Sequence, residues 1–123
     1  MAKKILLIDD ERTMLFLGSS RLKKSGYDVI VAENGAEGLV KAHSERPDII
    51  VLDLIMPEMG GFDTLKRLKE LNETRDIPVI VCSAKDRPDD LTLAKELGAV
   101  DYVVKPFEPI PFLEKIAKAL APA

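Results

Sequence analysis

The sequence predicts an α/β domain built on one doubly wound parallel sheet, and three observations carry that prediction. Five short apolar runs rich in β-branched residues alternate with stretches of helical period, the order expected of repeated strand–helix units. The runs are continuous rather than alternating, the habit of strands covered by helices on both faces. The chain has 123 residues, enough for one core and about half of what a closed eight-stranded barrel needs. Right-handed crossovers then make a single open sheet the economical topology, with ligands expected beyond the carboxyl ends of its strands.

The elements follow in order. Ile5-Leu6-Leu7-Ile8 forms the first strand and runs into Asp9 and Asp10. A helix over residues 12–24 closes at Gly26, a helix-ending glycine. Val29-Ile30-Val31 is a strand that ends in Ala32 and carries nothing reactive. The second helix, residues 36–45, is predicted to turn Ala36, Leu39, Val40 and Ala42 inward, with Gly38 weakening it by about 1 kcal/mol relative to alanine. Ile49-Ile50-Val51-Leu52 runs into Asp53, before the turn Pro57-Glu58-Met59-Gly60-Gly61. The third helix, residues 62–71, places Leu65, Leu68 and Leu71 at helical spacing. Val79-Ile80-Val81-Cys82 ends in Ser83, and a fourth helix follows from Pro88 to Gly98. Tyr102-Val103-Val104 runs into Lys105-Pro106. The last helix starts near Glu108-Pro109-Ile110-Pro111, where prolines are tolerated in the first turn, and carries Phe112, Leu113, Ile116 and Leu120 on one stripe.

Composition narrows the function classes. A net charge of -3 with interspersed signs leaves no footprint for nucleic acid or an anionic membrane. The clusters Arg21-Lys23-Lys24 and Lys66-Arg67-Lys69 read as solvated helix faces. The single cysteine, Cys82, lies in a strand run and reads as a small buried hydrophobe. His43 stands alone on the second helix, so no zinc site is expected. No apolar segment approaches the length of a membrane span, and Met1-Ala2-Lys3-Lys4 is followed by too short an apolar run for a signal peptide. The expected location is the cytoplasm, and no linker divides the chain.

The strand ends supply the chemistry. Asp9, Asp10 and Asp53, delivered by neighbouring strands, would repel one another at neutral pH. Such a cluster can bind a divalent cation, pair with Lys105, or raise the pKa of one member. Oxygen-only donors with room for water favour Mg²⁺ or Ca²⁺, Mg²⁺ suiting the incomplete shell. As a plain helix cap, Asp9-Asp10 would explain neither Asp53 nor Lys105. A carboxylate beside Mg²⁺, a hydroxyl and a fixed ammonium point to phosphoryl transfer: Lys105 neutralises charge, Ser83 donates a hydrogen bond, and Asp53 is the nucleophile candidate, giving an acyl phosphate.

Asp9-Asp10 after a first apolar strand, Asp53 followed by Pro57 and Gly61, Ser83-Ala84 and Lys105-Pro106-Phe107 together resemble the receiver domain of bacterial two-component response regulators, in its single-domain, chemotaxis-regulator-like form. The resemblance covers essentially the whole chain. It implies a flavodoxin-like (βα)5 fold of strand order 2-1-3-4-5, with residues 1–123 as a receiver domain and no output domain. It implies Asp53 as phosphoacceptor, with Mg²⁺ ligated by Asp10, Asp53 and the carbonyl of Ile55, and by Asp9 mostly through water. Ser83 and Lys105 would hold phosphoryl oxygens, and Ser83 and Tyr102 would form the switch. The implied role is signalling rather than enzymatic. A sensor histidine kinase or histidine phosphotransfer protein is the expected donor, and a downstream protein is expected to bind the fourth-helix, fifth-strand and fifth-helix face. Ile55 and Lys85 depart from the usual pattern. Ile55 offers no group to orient water, so slow loss of the phosphoryl group is expected. A haloacid-dehalogenase-like phosphatase would want a second Asp where Ile55 stands, and a dinucleotide-binding domain would want a glycine-rich turn where Asp9-Asp10-Glu11 stands. A phosphorylation-independent interaction module of the same fold is the main alternative.

Overall fold

The computed structural model describes residues 2–56, 59–84, 88–105 and 108–121, without the side chains of Ser83 and Ala84. Pro57, Lys85, Pro106 and Phe107, all singled out above, lie outside the described residues. The elements alternate as expected: β1 (Lys4–Ile8), α1 (Arg12–Lys24), β2 (Asp28–Ala32), α2 (Gly35–Glu45), β3 (Ile49–Asp53), α3 (Gly61–Glu70), β4 (Val79–Ala84), α4 (Pro88–Glu96), β5 (Asp101–Lys105) and α5 (Pro109–Leu120). The strands form one parallel sheet in the order 2-1-3-4-5. This is the flavodoxin-like arrangement. Gly26 and Gly98 have φ of 96° and 110°, conformations that end α1 and α4 and that L side chains avoid.

Alternation along each strand divides the core in two. Leu6, Ile8, Ile50, Leu52, Val79 and Val81 face α2, α3 and α4, packing with Ala42, Leu65, Leu68 and Ala94. Ile5, Leu7, Ile49, Val51, Ile80, Cys82 and Val103 face α1 and α5, packing with Leu15, Leu22, Phe112 and Ile116. Burial on both faces holds for β1, β3 and the described side chains of β4. The sheet's outer strands β2 and β5 are only partly covered, because each has a neighbour on one side alone.

Helix α2 corrects the sequence reading. Ala36 is exposed and Val40 is 67% exposed, while the buried positions are Gly35, Gly38 and Ala42. A Cβ at Gly38 would stand 2.5 Å from Ile8 Cδ1, and one at Gly35 2.2 Å from Thr64 Oγ1. The helix therefore lies so close to β1 and α3 that its inner face admits only small residues. The glycine that weakens the isolated helix is what allows it to dock. Leu71 is likewise turned out, as the residue that ends α3. Lys69 departs from a solvated face: it is half-buried and donates to the carbonyls of Arg75 and Ile77 at 3.0 and 2.8 Å, and burial lowers its pKa against the opposing charge of Asp76.

Candidate functional site

Strand register brings the reactive residues together. Ile8 pairs with Leu52, so Asp9, one residue on, stands level with Asp53. The Asp9 N–H continues the ladder to the Ala32 carbonyl at 3.1 Å, and the Leu54 N–H does the same to Cys82 at 3.0 Å. Asp9, Asp53 and Lys105 follow Leu7, Val51 and Val103 by two residues each, which puts all three on the α1–α5 face of the sheet. The apolar stripe of three strands thus ends in two acids level with each other and a base two residues further along.

The side chains meet there. Lys105 Nζ lies 2.8 Å from Asp9 Oδ2, 3.1 Å from Asp53 Oδ2 and 3.3 Å from Glu11 Oε1. Asp9 and Asp53 are 7% and 4% exposed, so two carboxylates are held out of water around one ammonium. Each keeps its second oxygen on the main chain: Asp9 Oδ1 accepts from the Glu11 N–H at 3.0 Å, and Asp53 Oδ1 accepts from the Ile55 N–H at 3.1 Å. Asp10 is exposed at the rim, and one oxygen from each of Asp9, Asp10 and Asp53 falls within a 4.8 Å group. The residue that caps α1 is Glu11, which makes no side-chain cap bond. The pair Asp9-Asp10 therefore serves the cluster rather than the helix.

Burial pushes the Asp53 carboxyl up to about 6, with the Asp9 carboxylate adding to the rise and the Ile55 N–H and Lys105 opposing it. Burial alone would lower Lys105, but its bonds and ion pairs with Asp9 and Asp53 outweigh that and raise it. The ammonium is thus fixed in its charged form. Cys82, level with Asp53 on β4, is buried and its thiol is pushed well up, which removes it from nucleophilic chemistry.

Three carboxylates of the cluster face a single lysine, leaving net negative charge in a partly buried place. That donor set, hard oxygens with one exposed edge, fits Mg²⁺ with retained waters. The backbone of Ile55 lies alongside Asp53, and its side chain is 51% exposed. Ser83, one residue before the end of β4, stands level with Val104. Tyr102 is not part of the cluster. It packs partly against the opposite core, the one beneath α2, α3 and α4, and its ring is approached by Lys115 and Lys95. Glu11 as a third partner of Lys105 went unread in the sequence, although the acidic run Asp9-Asp10-Glu11 pointed toward it.

The end of β3 at Asp53 depends on Gly61. A Cβ there would lie 2.3 Å from the Asp53 carbonyl oxygen and 2.4 Å from Leu54 Cα, and backbone cannot yield as a side-chain tip can. Gly61→Ala is expected to lower stability by about 2–4 kcal/mol, read as the urea midpoint. An unchanged midpoint would show that α3 does not need this close approach.

Comparison with known proteins agrees with the geometry. Residues 5–117 match the family model described as response regulator receiver domain. The chain is 45% identical over 109 residues to the alkaline phosphatase synthesis transcriptional regulatory protein PhoP of Bacillus subtilis, covering 89% of this chain and 45% of that protein. It therefore spans less than half the length of that relative. It is 37% identical over 118 residues to protein PilH of Pseudomonas aeruginosa, covering 96% and 98% of the two chains. Among solved structures, chemotaxis protein CheY4 of Vibrio cholerae superposes with a TM-score of 0.92 at 31% identity, covering 98% of this chain and all of that one.

Proposed function

This chain belongs to the response regulator receiver domain family of two-component signalling, and from that premise we propose that Asp53 is its phosphoacceptor, working with Mg²⁺, Ser83 and Lys105. The observation that carries the proposal is the Lys105 ammonium bridging Asp53 and Asp9, 3.1 and 2.8 Å away, on a floor of buried strands. An Asp53 oxygen attacks the phosphorus of the donor in line. The bond from phosphorus to the donor's leaving atom breaks, that atom keeps the electron pair, and an acyl phosphate remains. Lys105, already charged, follows the developing phosphoryl charge without having to take up a proton. Ser83 donates to a second phosphoryl oxygen. Mg²⁺, held by Asp9, Asp10, Asp53 and the Ile55 carbonyl, would neutralise charge on the phosphoryl oxygens.

The donor is a sensor histidine kinase, a histidine phosphotransfer protein or a small phosphodonor. The output is protein binding at α4, β5 and α5, where Leu93, Val100 and Ile110 are exposed apolar side chains. Phosphorylation changes that face through Ser83 and Tyr102. No described helix is long and apolar enough to cross a membrane, and the proposed setting is the cytoplasm, with no nucleic-acid contact. The protein acts as a signalling switch, turning over only its own phosphoryl group.

Incubation with acetyl phosphate tests the metal requirement. Intact mass should show one phosphoryl adduct with Mg²⁺ and none with excess EDTA; an adduct of equal yield in EDTA would remove Mg²⁺ from the account. Ile55 sets the lifetime, because it offers the attacking water no hydrogen bond. Ile55→Asn supplies one, worth about 1 kcal/mol or roughly fivefold in rate, and the adduct should decay faster by that factor. An unchanged decay would show that residue 55 does not govern water.

A further inference from the structure

Tyr102 stands on the outer strand β5 with cations from both flanking helices over its ring: Lys115 Nζ of α5 is 4.2 Å from the ring centroid and Lys95 Nζ of α4 is 5.6 Å. Lys115 does more than approach the ring. It donates to the Tyr102 carbonyl and lies 3.5 Å from Asp101 Oδ1. That same carboxylate oxygen accepts the Tyr102 N–H at 2.8 Å. The ammonium is thus tethered at two points to residues 101 and 102 and touches the ring at a third.

These contacts respond differently when the ring moves. Rotation of Tyr102 about Cα–Cβ leaves its carbonyl and Asp101 where they are, so both tethers survive. The cation–π contact does not. A cation fixed independently of the ring favours the one ring position that lies beneath it. The half-buried setting of Lys115 strengthens that preference, since a partly desolvated cation interacts with a ring more strongly than a solvated one.

We infer that Lys115 is a positioning residue that holds the Tyr102 ring in its resting orientation and so biases the switch against changing state. The bias corresponds to about a fivefold population ratio, within the usual range for a partly desolvated cation on a tyrosine ring. Its consequence for signalling rests on the proposed role of Tyr102 as the switch; the hold on the ring does not. If ring orientation and phosphorylation are coupled, the coupling is reciprocal, and releasing the ring makes Asp53 easier to phosphorylate.

The test labels the full chain with 3-fluorotyrosine and follows ring positions by fluorine NMR. The chain has two tyrosines, and Tyr27→Phe assigns the Tyr102 signal. In unphosphorylated protein Lys115→Met, which keeps an unbranched apolar stem and loses the charge, should raise the minor ring position about fivefold. Lys115→Arg should return it to near the original value, because a guanidinium also stacks on a ring and donates to a carbonyl. Lys95→Met, removing the more distant cation, should have the smaller effect. Ring populations unchanged in Lys115→Met would overturn the inference. A urea-unfolding cycle of Lys115→Met with Tyr102→Leu gives an independent reading: non-additive midpoints support the contact, and additive ones overturn it. Acetyl phosphate is then added to the wild-type chain. Ring populations that stay fixed on phosphorylation would remove Tyr102 from the switch while leaving the Lys115 contact standing on the unphosphorylated measurements.

Discussion

Lys105→Met should cost about 3–4 kcal/mol of folding stability at pH 7.5 without metal, and should abolish efficient acceptance of a phosphoryl group. Lys105 Nζ is 2.8 Å from Asp9 and 3.1 Å from Asp53, both nearly inaccessible to solvent. Methionine fills the stem's volume and leaves two buried carboxylates facing each other. Breaking a buried ion pair from one side typically costs about 3–5 kcal/mol; the open edge at Asp10 argues for the lower part of that range. Removing the ammonium also removes an influence that holds Asp53 down, so the variant's Asp53 titrates above the wild-type value of about 6. A raised folded pKa means that the stability is recovered as pH falls, since the folded chain then takes up a proton that the unfolded chain does not. The deficit against wild type should therefore shrink between pH 7.5 and pH 5. Mg²⁺ should offset part of it by binding the folded state alone. Urea unfolding at the two pH values checks this, and a deficit independent of pH would contradict it.

Asp53→Asn should remove phosphoryl acceptance and at the same time stabilise the metal-free protein. The Asp53 carboxyl is raised from 3.8 to about 6, chiefly by burial and then by Asp9. Its ionised form is therefore a cost in the folded state, present above pH 6 and relieved below about 4. At 1.36 kcal/mol per unit that cost is on the order of 3 kcal/mol at pH 7.5. The neutral amide avoids it, and Lys105 keeps Asp9 and Glu11 as partners. The variant's advantage should fade as pH falls through 6 toward 4, where the wild-type group is itself neutral. Thermal unfolding across that window measures it. An Asp53→Asn protein no more stable than wild type at pH 7.5 would show that the site stores no such repulsion.

A carboxylate held at a cost to folding is what the proposed acceptor site would need, and much of the cluster follows from residue order alone. The apolar runs named the strands, and the residues that ended them named Asp9, Asp10, Asp53, Ser83 and Lys105, because strand ends of a parallel sheet converge. What periodicity could not supply was close approach. Val40 looked like a core residue by spacing, yet Gly35 and Gly38 are what α2 presents inward, and only the neighbouring Ile8 and Thr64 reveal why. Contacts made by long flexible side chains were equally hidden. Nothing in residue order ties Lys69 to the Ile77 carbonyl or Lys115 to the Tyr102 ring, and the acidic run Asp9-Asp10-Glu11 only hints at the contact of Glu11 with Lys105. These depend on where a long side chain reaches in three dimensions, which helical or strand periodicity does not encode.

The proposed function assigns the phosphoryl group to one particular carboxylate. After treatment with acetyl phosphate and Mg²⁺, borohydride reduction converts an acyl phosphate into an alcohol and so marks the acceptor as homoserine. Peptide mapping by mass spectrometry should find that conversion at Asp53 and nowhere else. Homoserine at Asp9 or Asp10, or a borohydride-resistant phosphate on Ser83, would contradict the assignment. A folded chain with no adduct even from a phosphorylated histidine phosphotransfer protein would turn it in favour of an interaction module that works without phosphorylation.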